Sequence, residues 1–303
     1  MLRILANDGM EQSAVAHLTG LGHEVNTQHL ELDELYEKLG SYDVVVIRSA
    51  TKLRKETIDA VADSKLKLMI RAGVGIDNID VAYAESKGIA VRNTPNSSSA
   101  SVAELAIGHM FNLARFMHIS NHTMRLGEWN KKNYTGTEIS GKTLGLIGFG
   151  RIGQEIAKRA YALGMNILYN DQVGEKEGFD HYTFSEFETL LANSDYIALH
   201  IPSRATNKPV IDAAAFQIIK KGSHLINTSR GNLIDVDAMI KALDDGTLAG
   251  AGLDVFEAEP LKDERLMTHP KISMTPHIGA STEEAQLRIG AEVCDAITKF
   301  FNA

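Results

Sequence analysis

The sequence predicts an α/β protein built from two doubly wound parallel-sheet domains. Three observations predict it. Short apolar runs and helical patterns alternate almost throughout, as they do where crossover helices link parallel strands. A glycine turn, Gly148-Phe149-Gly150-Arg151-Ile152-Gly153, stands between an apolar run (143–147) and a helical pattern that ends at Gly164. That turn opens near the middle of 303 residues, so a domain's length of chain precedes it.

Before the turn, strands are expected near 2–6, 23–27, 43–47, 67–70 and 89–92, with helices near 11–19, 31–39, 55–61 and 78–87. The run Val44-Val45-Val46-Ile47 ends at Arg48, and the run Lys67-Leu68-Met69-Ile70 ends at Arg71. A helical stretch near 99–126 joins the two halves. After the turn, strands are expected near 166–170, 196–201, 223–228, 249–255 and 272–274, and helices near 185–192, 212–219 and 235–244. A last helix near 282–301 closes the chain. Each half reads as its own sheet, so a cleft is expected between them.

Composition narrows the function. Hydrophobic residues make up 44% and charged residues 23%, ordinary for a globular protein. The formal net charge of −8 disfavours nucleic acid as a partner. No apolar stretch approaches the roughly 18 residues of a membrane span. The opening strand Leu2-Arg3-Ile4-Leu5-Ala6 is broken too soon for a signal peptide, so a cytoplasmic protein is expected. The single cysteine, Cys294, lies in the last helical pattern and reads as a packed small hydrophobe. No His-Glu-x-x-His, paired cysteines or aspartate-rich loop suggests a metal, and no Gly-x-Ser-x-Gly elbow suggests a serine hydrolase.

The glycine turn carries the first functional inference. Gly148 allows a tight turn out of the strand, Gly150 lets the backbone approach a pyrophosphate, and Gly153 lets helix and strand pack closely. The N–H groups that open the helix suit a phosphate anion. Asp171 ends the next strand, 18 positions after Gly153. Its carboxylate can accept from the ribose hydroxyls and would repel a 2′-phosphate, which points to NAD over NADP.

Other candidates lie at strand ends, where ligands bind in such sheets. Arg48 and Arg71 each follow an apolar run of the first half; surface arginines are the plain alternative. The segment after Arg71 is a second strand-to-helix turn, whose backbone at Gly73 and Val74 can approach a ligand. Asp77 or Asn78 can cap the helix that follows. In the second half, Arg230, Glu259 and His277 each follow a predicted strand. A histidine suits proton exchange between a 2-hydroxy acid and a 2-keto acid, a carboxylate on its other nitrogen fixes the tautomer, and an arginine can grip a carboxylate. Taken singly, His277 could satisfy a core carbonyl, Glu259 could be a solvated acid and Arg230 could pair on the surface.

Four segments together resemble the D-isomer-specific 2-hydroxyacid dehydrogenases: Gly145–Gly153, Asn227-Thr228-Ser229-Arg230-Gly231, Gly252-Leu253-Asp254-Val255-Phe256-Glu257-Ala258-Glu259-Pro260 and Thr275-Pro276-His277-Ile278-Gly279-Ala280. The resemblance covers nearly the whole chain in order. It implies a Rossmann NAD-binding domain (99–280) inserted into a flavodoxin-like substrate domain (1–98 plus 281–303). It implies Arg230, Glu259 and His277 as the catalytic set and Asp254 as the holder of the nicotinamide carboxamide. Val74, Arg151, Ile152, Asp171, Thr228, Ser229, Arg230 and the turn His277-Ile278-Gly279-Ala280 would line the cofactor. His200-Ile201-Pro202 matches the loop under the adenine, which takes His200 out of acid/base work.

Within the family, the segments 46–52, 70–80 and 93–97 are most similar to the phosphoglycerate dehydrogenase branch. That implies oxidation of a phosphorylated 2-hydroxy acid, 3-phospho-D-glycerate, with Arg48, Arg71, Gly73, Val74, Arg230 and His277 about the substrate. A phosphate brings a charge of about −1.5 to −2 and needs local cations on an acidic protein. The alternatives are reduction of hydroxypyruvate or glyoxylate, or a dinucleotide-sensing binding protein. The resemblance also implies a homodimer. Lys131 or Lys132, near Trp129, could reach a neighbouring subunit's ligand, with plain solvation the alternative. The sequence stops at Ala303, where many of that branch continue into a serine-binding domain, so serine feedback is not expected.

Overall fold

The computed structural model describes residues 1–203 and 208–302. The chain divides into two compact units, Met1–Ser98 with Ala280–Ala303, and Ser99–Gly279.

The first unit opens β1 (Arg3–Ala6), α1 (Gln12–Gly20), β2 (Glu24–Asn26), α2 (Leu32–Lys38), β3 (Val44–Ile47), α3 (Lys55–Val61), β4 (Leu68–Arg71), α4 (Val81–Ser86) and β5 (Ala90–Asn93). Its sheet runs in the order β2-β1-β3-β4-β5, all parallel. This is the flavodoxin-like order, with its switch point between β1 and β3. The all-apolar β3 explains itself: Val45 and Ile47 pack into one core with Leu35, Ile58 and Ala84, while Val44 and Val46 pack into the other with Leu18, Ile289 and Val293. The closing helix Glu283–Phe301 supplies that second face, so the chain's end completes the fold of its beginning. Cys294 is buried there, its thiol pushed up to about 11 by burial, which leaves it unreactive.

The second unit contains α5 (Ser99–Ala114), α6 (Met117–Arg125), β6 (Thr143–Ile147), α7 (Arg151–Ala162), β7 (Asn166–Asn170), β8 (Thr183–Phe184), α8 (Phe187–Asn193), β9 (Tyr196–Leu199), α9 (Ala213–Ile218), β10 (Ser223–Asn227), α10 (Val236–Asp244), β11 (Leu248–Leu253), α11 (Glu264–Thr268) and β12 (Ile272–Met274). The sheet order is β12-β11-β10-β9-β6-β7-β8, parallel throughout. Read from β8, this is the dinucleotide-binding order extended by one strand, and the strand order reverses between β6 and β9.

The single helix expected near 99–126 is two helices. Phe116 takes a left-handed φ of 54°. The Ala114 carbonyl accepts from the Thr137 amide at 2.9 Å, so a returning segment caps α5 and ends it. The buried face of α5 packs on the sheet, whereas α6 buries none of its residues. The helix expected near 78–87 starts later, at Val81, and Asn78 is not its cap. Its side-chain amide instead donates to the Arg48 and Thr51 carbonyls, both at 2.8 Å, and ties down the loop after β3. The two-residue β8 and the short α11 carry too few residues to show a period.

Candidate active site

The glycine turn leaves β6 at the switch point. Gly148 has a φ of 96°, and a Cβ there would stand 2.4 Å from the His200 carbonyl oxygen. A Cβ on Gly153 would stand 2.3 Å from the Gly148 oxygen. Gly150 differs: a Cβ there would meet nothing within 4 Å. Its bareness is therefore not required by the fold, and the room lies at the N-cap of α7, where a phosphate is attracted. Arg151 is exposed beside it and Ile152 is half-buried.

The other residues expected at the dinucleotide lie at the same strand ends. Asp171 follows β7 and accepts from the Phe149 amide at 2.9 Å. His200 follows β9; its backbone amide donates to the Ile147 carbonyl at 2.7 Å. Both its ring nitrogens are buried without a hydrogen-bond partner among the described residues, and burial lowers its pKa to about 3, so the ring is neutral. Ile201 packs on the core and Pro202 is exposed. The Thr228 hydroxyl is likewise buried without a partner among the described residues. Orphaned polar atoms beside an open glycine cradle fit a polar ligand such as NAD. Ser229 is spent on the fold, its hydroxyl donating to the Leu199 carbonyl.

Three adjacent strands, β10, β11 and β12, lead into the loops that carry Arg230, Glu259 and His277. His277 Nδ1 lies 2.7 Å from Glu259 Oε2, and Glu259 Oε1 accepts from the Phe256 amide at 3.1 Å. Burial pushes the Glu259 carboxyl up, but the His277 hydrogen bond and charge, the Phe256 amide and the Arg230 charge outweigh it, and the group sits below its usual range. An ionised Glu259 fixes Nδ1 of His277 as the hydrogen-bonded nitrogen and leaves Nε2 for proton exchange. His277 holds a left-handed φ of 54°, a conformation costly for a non-glycine residue and concentrated at functional sites. Arg230 Nη1 donates to the Ser229 carbonyl at 2.6 Å. The Arg230 loop presses on the Glu259 loop: a Cβ on Gly231 would come within 2.0 Å of the Phe256 carbonyl carbon.

Asp254 has a role the sequence did not reveal. It is 1% exposed and accepts from the Thr275 hydroxyl at 2.6 Å, the Ile278 amide at 2.8 Å and the Gly279 amide at 2.9 Å. It thus braces the turn that carries His277 from both sides. His109, on α5, stands behind it, with Nδ1 2.9 Å from Ser273 Oγ and Nε2 3.1 Å from Thr275 Oγ1. Burial lowers His109 to about 4, so it is neutral. Thr275 spends its proton on Asp254, so Nε2 of His109 must be the N–H that it accepts. Gly252 makes room for this ring, since a Cβ there would stand 2.7 Å from His109 Cβ. Asn227 was also missed; its amide donates to the Arg230 carbonyl at 2.8 Å and accepts from the Ser229 amide at 3.0 Å. A polar residue at a buried strand end was the available signal for Asn227, and a lone histidine on an apolar helix face for His109.

In the first unit, Arg48 and Arg71 end neighbouring strands, Arg48 directly following Ile47, the register partner of Arg71. The room over Gly73 is taken by Arg71 itself: a Cβ would lie 1.4 Å from Arg71 Nη1. The Arg71 guanidinium thus lies directly over Gly73. The Val74 carbonyl accepts from Asn93 at 2.6 Å, and the Ala280 carbonyl from Gln286 at 2.8 Å. Lys131 and Lys132 are exposed in a short turn.

A dinucleotide cradle and a histidine–carboxylate pair on one sheet rim define a nicotinamide-dependent dehydrogenase. Residues 107–279 match the family described as D-isomer specific 2-hydroxyacid dehydrogenase, NAD binding domain. A hydroxypyruvate reductase of Thermotoga maritima is 43% identical over 98% of this chain and 97% of its own. A D-3-phosphoglycerate dehydrogenase of Methanocaldococcus jannaschii is 42% identical over 99% of this chain, which spans only 57% of that relative. The NAD complex of a Staphylococcus aureus NAD-dependent formate dehydrogenase superposes with a TM-score of 0.87 at 30% identity, covering 99% of this chain and 96% of that one. The chain belongs to the D-isomer-specific 2-hydroxyacid dehydrogenase family, and its second unit is that family's NAD-binding domain.

Proposed function

We propose that the protein oxidises 3-phospho-D-glycerate to 3-phosphohydroxypyruvate with NAD. The observation that carries this is the pair of arginines, Arg48 and Arg71, ending adjacent strands β3 and β4 of the first unit. Two cations are what a phosphate of charge about −1.5 to −2 needs on a protein of net charge −8. Gly148, Gly150, Arg151, Ile152, Gly153, Asp171, His200, Ile201, Thr228 and Asp254 would hold NAD, which supplies the hydride acceptor. Arg230 binds the carboxylate and polarises the oxygen at C2. His277 takes the hydroxyl proton at Nε2, and Glu259 stabilises the imidazolium that results.

Reduction of unphosphorylated hydroxypyruvate is the second reading, favoured by the Thermotoga maritima relative, which matches over 97% of its length. The two are separated by assaying NAD or NADH turnover on a panel of phosphorylated and plain 2-hydroxy and 2-keto acids. Arg71→Ala is expected to raise the phosphoglycerate KM at least tenfold, about 1.4 kcal/mol, while barely changing glyoxylate reduction. Equal losses on both substrates would remove the phosphate role.

We further infer a homodimer. Met124, Leu126 and Trp129 are 53%, 64% and 77% exposed along and just after α6, three apolar side chains that suit a second copy. A molar mass by light scattering is expected at twice 33.1 kDa, and a monomer at micromolar concentration would contradict it.

A further inference from the structure

The carboxylate read as the ribose acceptor already has a cation on it. Asp171 Oδ2 accepts from the Phe149 amide at 2.9 Å and lies 3.0 Å from Lys176 Nζ, while Oδ1 accepts from the Val173 amide at 3.2 Å. Lys176 Nζ also donates to the Phe149 carbonyl at 2.8 Å, inside the glycine turn. One ammonium therefore bridges the phosphate-binding turn and the acid that follows β7. The arrangement is held in place: the Lys176 amide donates to the Tyr169 hydroxyl at 3.0 Å, and Tyr169 stacks on Phe149 with ring centroids 4.0 Å apart. The side chains are sheltered, Lys176 being 24% and Asp171 13% exposed, so solvent screens this pair less than a surface pair. Burial pushes the Asp171 carboxyl up, and the hydrogen bonds from Lys176, Val173 and Phe149 outweigh it, so it stays ionised.

Counting donors and acceptors shows what remains for a ligand. Each carboxylate oxygen offers two lone-pair directions. Oδ2 uses both and Oδ1 keeps one. The ammonium has three N–H groups and spends two, on Asp171 and on Phe149. The pair therefore presents one acceptor and one donor to whatever binds beside it, and its summed charge is near zero. A bare aspartate would present only negative charge and reject a 2′-phosphate. This pair does not.

We propose that Lys176 sets the cofactor discrimination of this site: it offsets the charge of Asp171 and offers its third N–H to the 2′ position of the adenine ribose, so that a 2′-phosphorylated dinucleotide is accepted as a second cofactor beside NAD. The proposal rests on Asp171 being the ribose acceptor. Lys176 is a specificity residue here and takes no part in the chemistry of the hydroxy acid.

The test is direct binding, read by nicotinamide fluorescence on the full chain titrated with NADH and with NADPH. Lys176→Met is expected to weaken NADPH at least tenfold relative to NADH, while NADH binding stays within about threefold of the parent. Lys176→Arg is expected to restore the parent's ratio, because the cation returns. Asp171→Asn is expected to move the ratio toward NADPH. If Lys176→Met weakens both cofactors equally, or changes neither, while Asp171→Asn still moves the ratio, the role given to Lys176 is wrong. If Asp171→Asn changes neither affinity, the ribose assignment fails and the proposal falls with it.

Discussion

His277→Asn is expected to remove turnover and leave NADH binding in place. The ring's Nδ1 is engaged by Glu259 at 2.7 Å, so Nε2 is the nitrogen left for the proton exchange proposed for this ring. Asparagine keeps a hydrogen-bonding group near Glu259 but has no nitrogen that can take and return a proton near neutrality. Losing a positioned acid/base group costs about 10²–10⁴-fold in rate, or roughly 3–5 kcal/mol of barrier. The substitution is chosen for the backbone as well. Position 277 has a φ of 54°, and asparagine is among the few residues that tolerate that region. The fold should therefore survive, with a melting temperature close to the parent's. Steady-state kinetics with a fluorescence titration of NADH separates the effects. Turnover within tenfold of the parent would dismiss His277 as the acid/base group, and lost NADH binding would mean that the turn itself had collapsed.

Much of this architecture is legible in the chain because parallel strands buried on both faces must be apolar at every position. Val44-Val45-Val46-Ile47 and Tyr196-Ile197-Ala198-Leu199 announce themselves for that reason. The glycine turn is equally legible, since its spacing follows from three local steric demands that a sequence records directly. What escaped depends on partners distant in sequence. The break after Ala114 is made by the Thr137 amide, which no local pattern in the preceding helix foretells. Asn78 looks like a helix cap and serves the Arg48 loop, 30 positions back. His109 acquires its role only when β12 brings Ser273 and Thr275 against α5, more than 160 residues along the chain. No local pattern around Lys176 foretells that its ammonium lies on Asp171. Arg230, Glu259 and His277 stand out as candidates because their chemistry is distinctive; Asp254, Asn227 and His109 brace the loops around them with ordinary polar groups that no local pattern marks.

That distinction carries the second large expectation, on Asp254. Its resemblance-based role is to hold the cofactor's carboxamide, yet both its oxygens already accept from the chain, one from Thr275 and Ile278 and the other from Gly279. In Asp254→Asn, one oxygen becomes an NH₂ group. Whichever way the amide turns, an N–H then faces a buried N–H or hydroxyl donor, and at least one hydrogen bond to a charged group is lost. Leaving such a donor unsatisfied costs about 1–3 kcal/mol, and the lost charged hydrogen bond about 1.5–3. An opposing effect reduces this. Burial holds the Asp254 carboxyl above its ordinary range despite the three donors, so removing the charge also relieves a desolvation penalty. The net loss is therefore expected at about 2 kcal/mol, a fall of roughly 4–8 °C in melting temperature. Catalysis should suffer more than stability. Thr275 and Ile278 flank His277, and a displacement near 1 Å at a reacting group costs about 10²-fold in rate. A bracing role thus predicts a large fall in kcat together with the lowered melting temperature, and a smaller change in NADH affinity. A carboxamide-holding role alone predicts the reverse: weakened NADH binding with kcat at saturating cofactor and the melting temperature little altered. Calorimetry of the variant beside its steady-state kinetics decides between the two, and an unchanged melting temperature would exclude the brace.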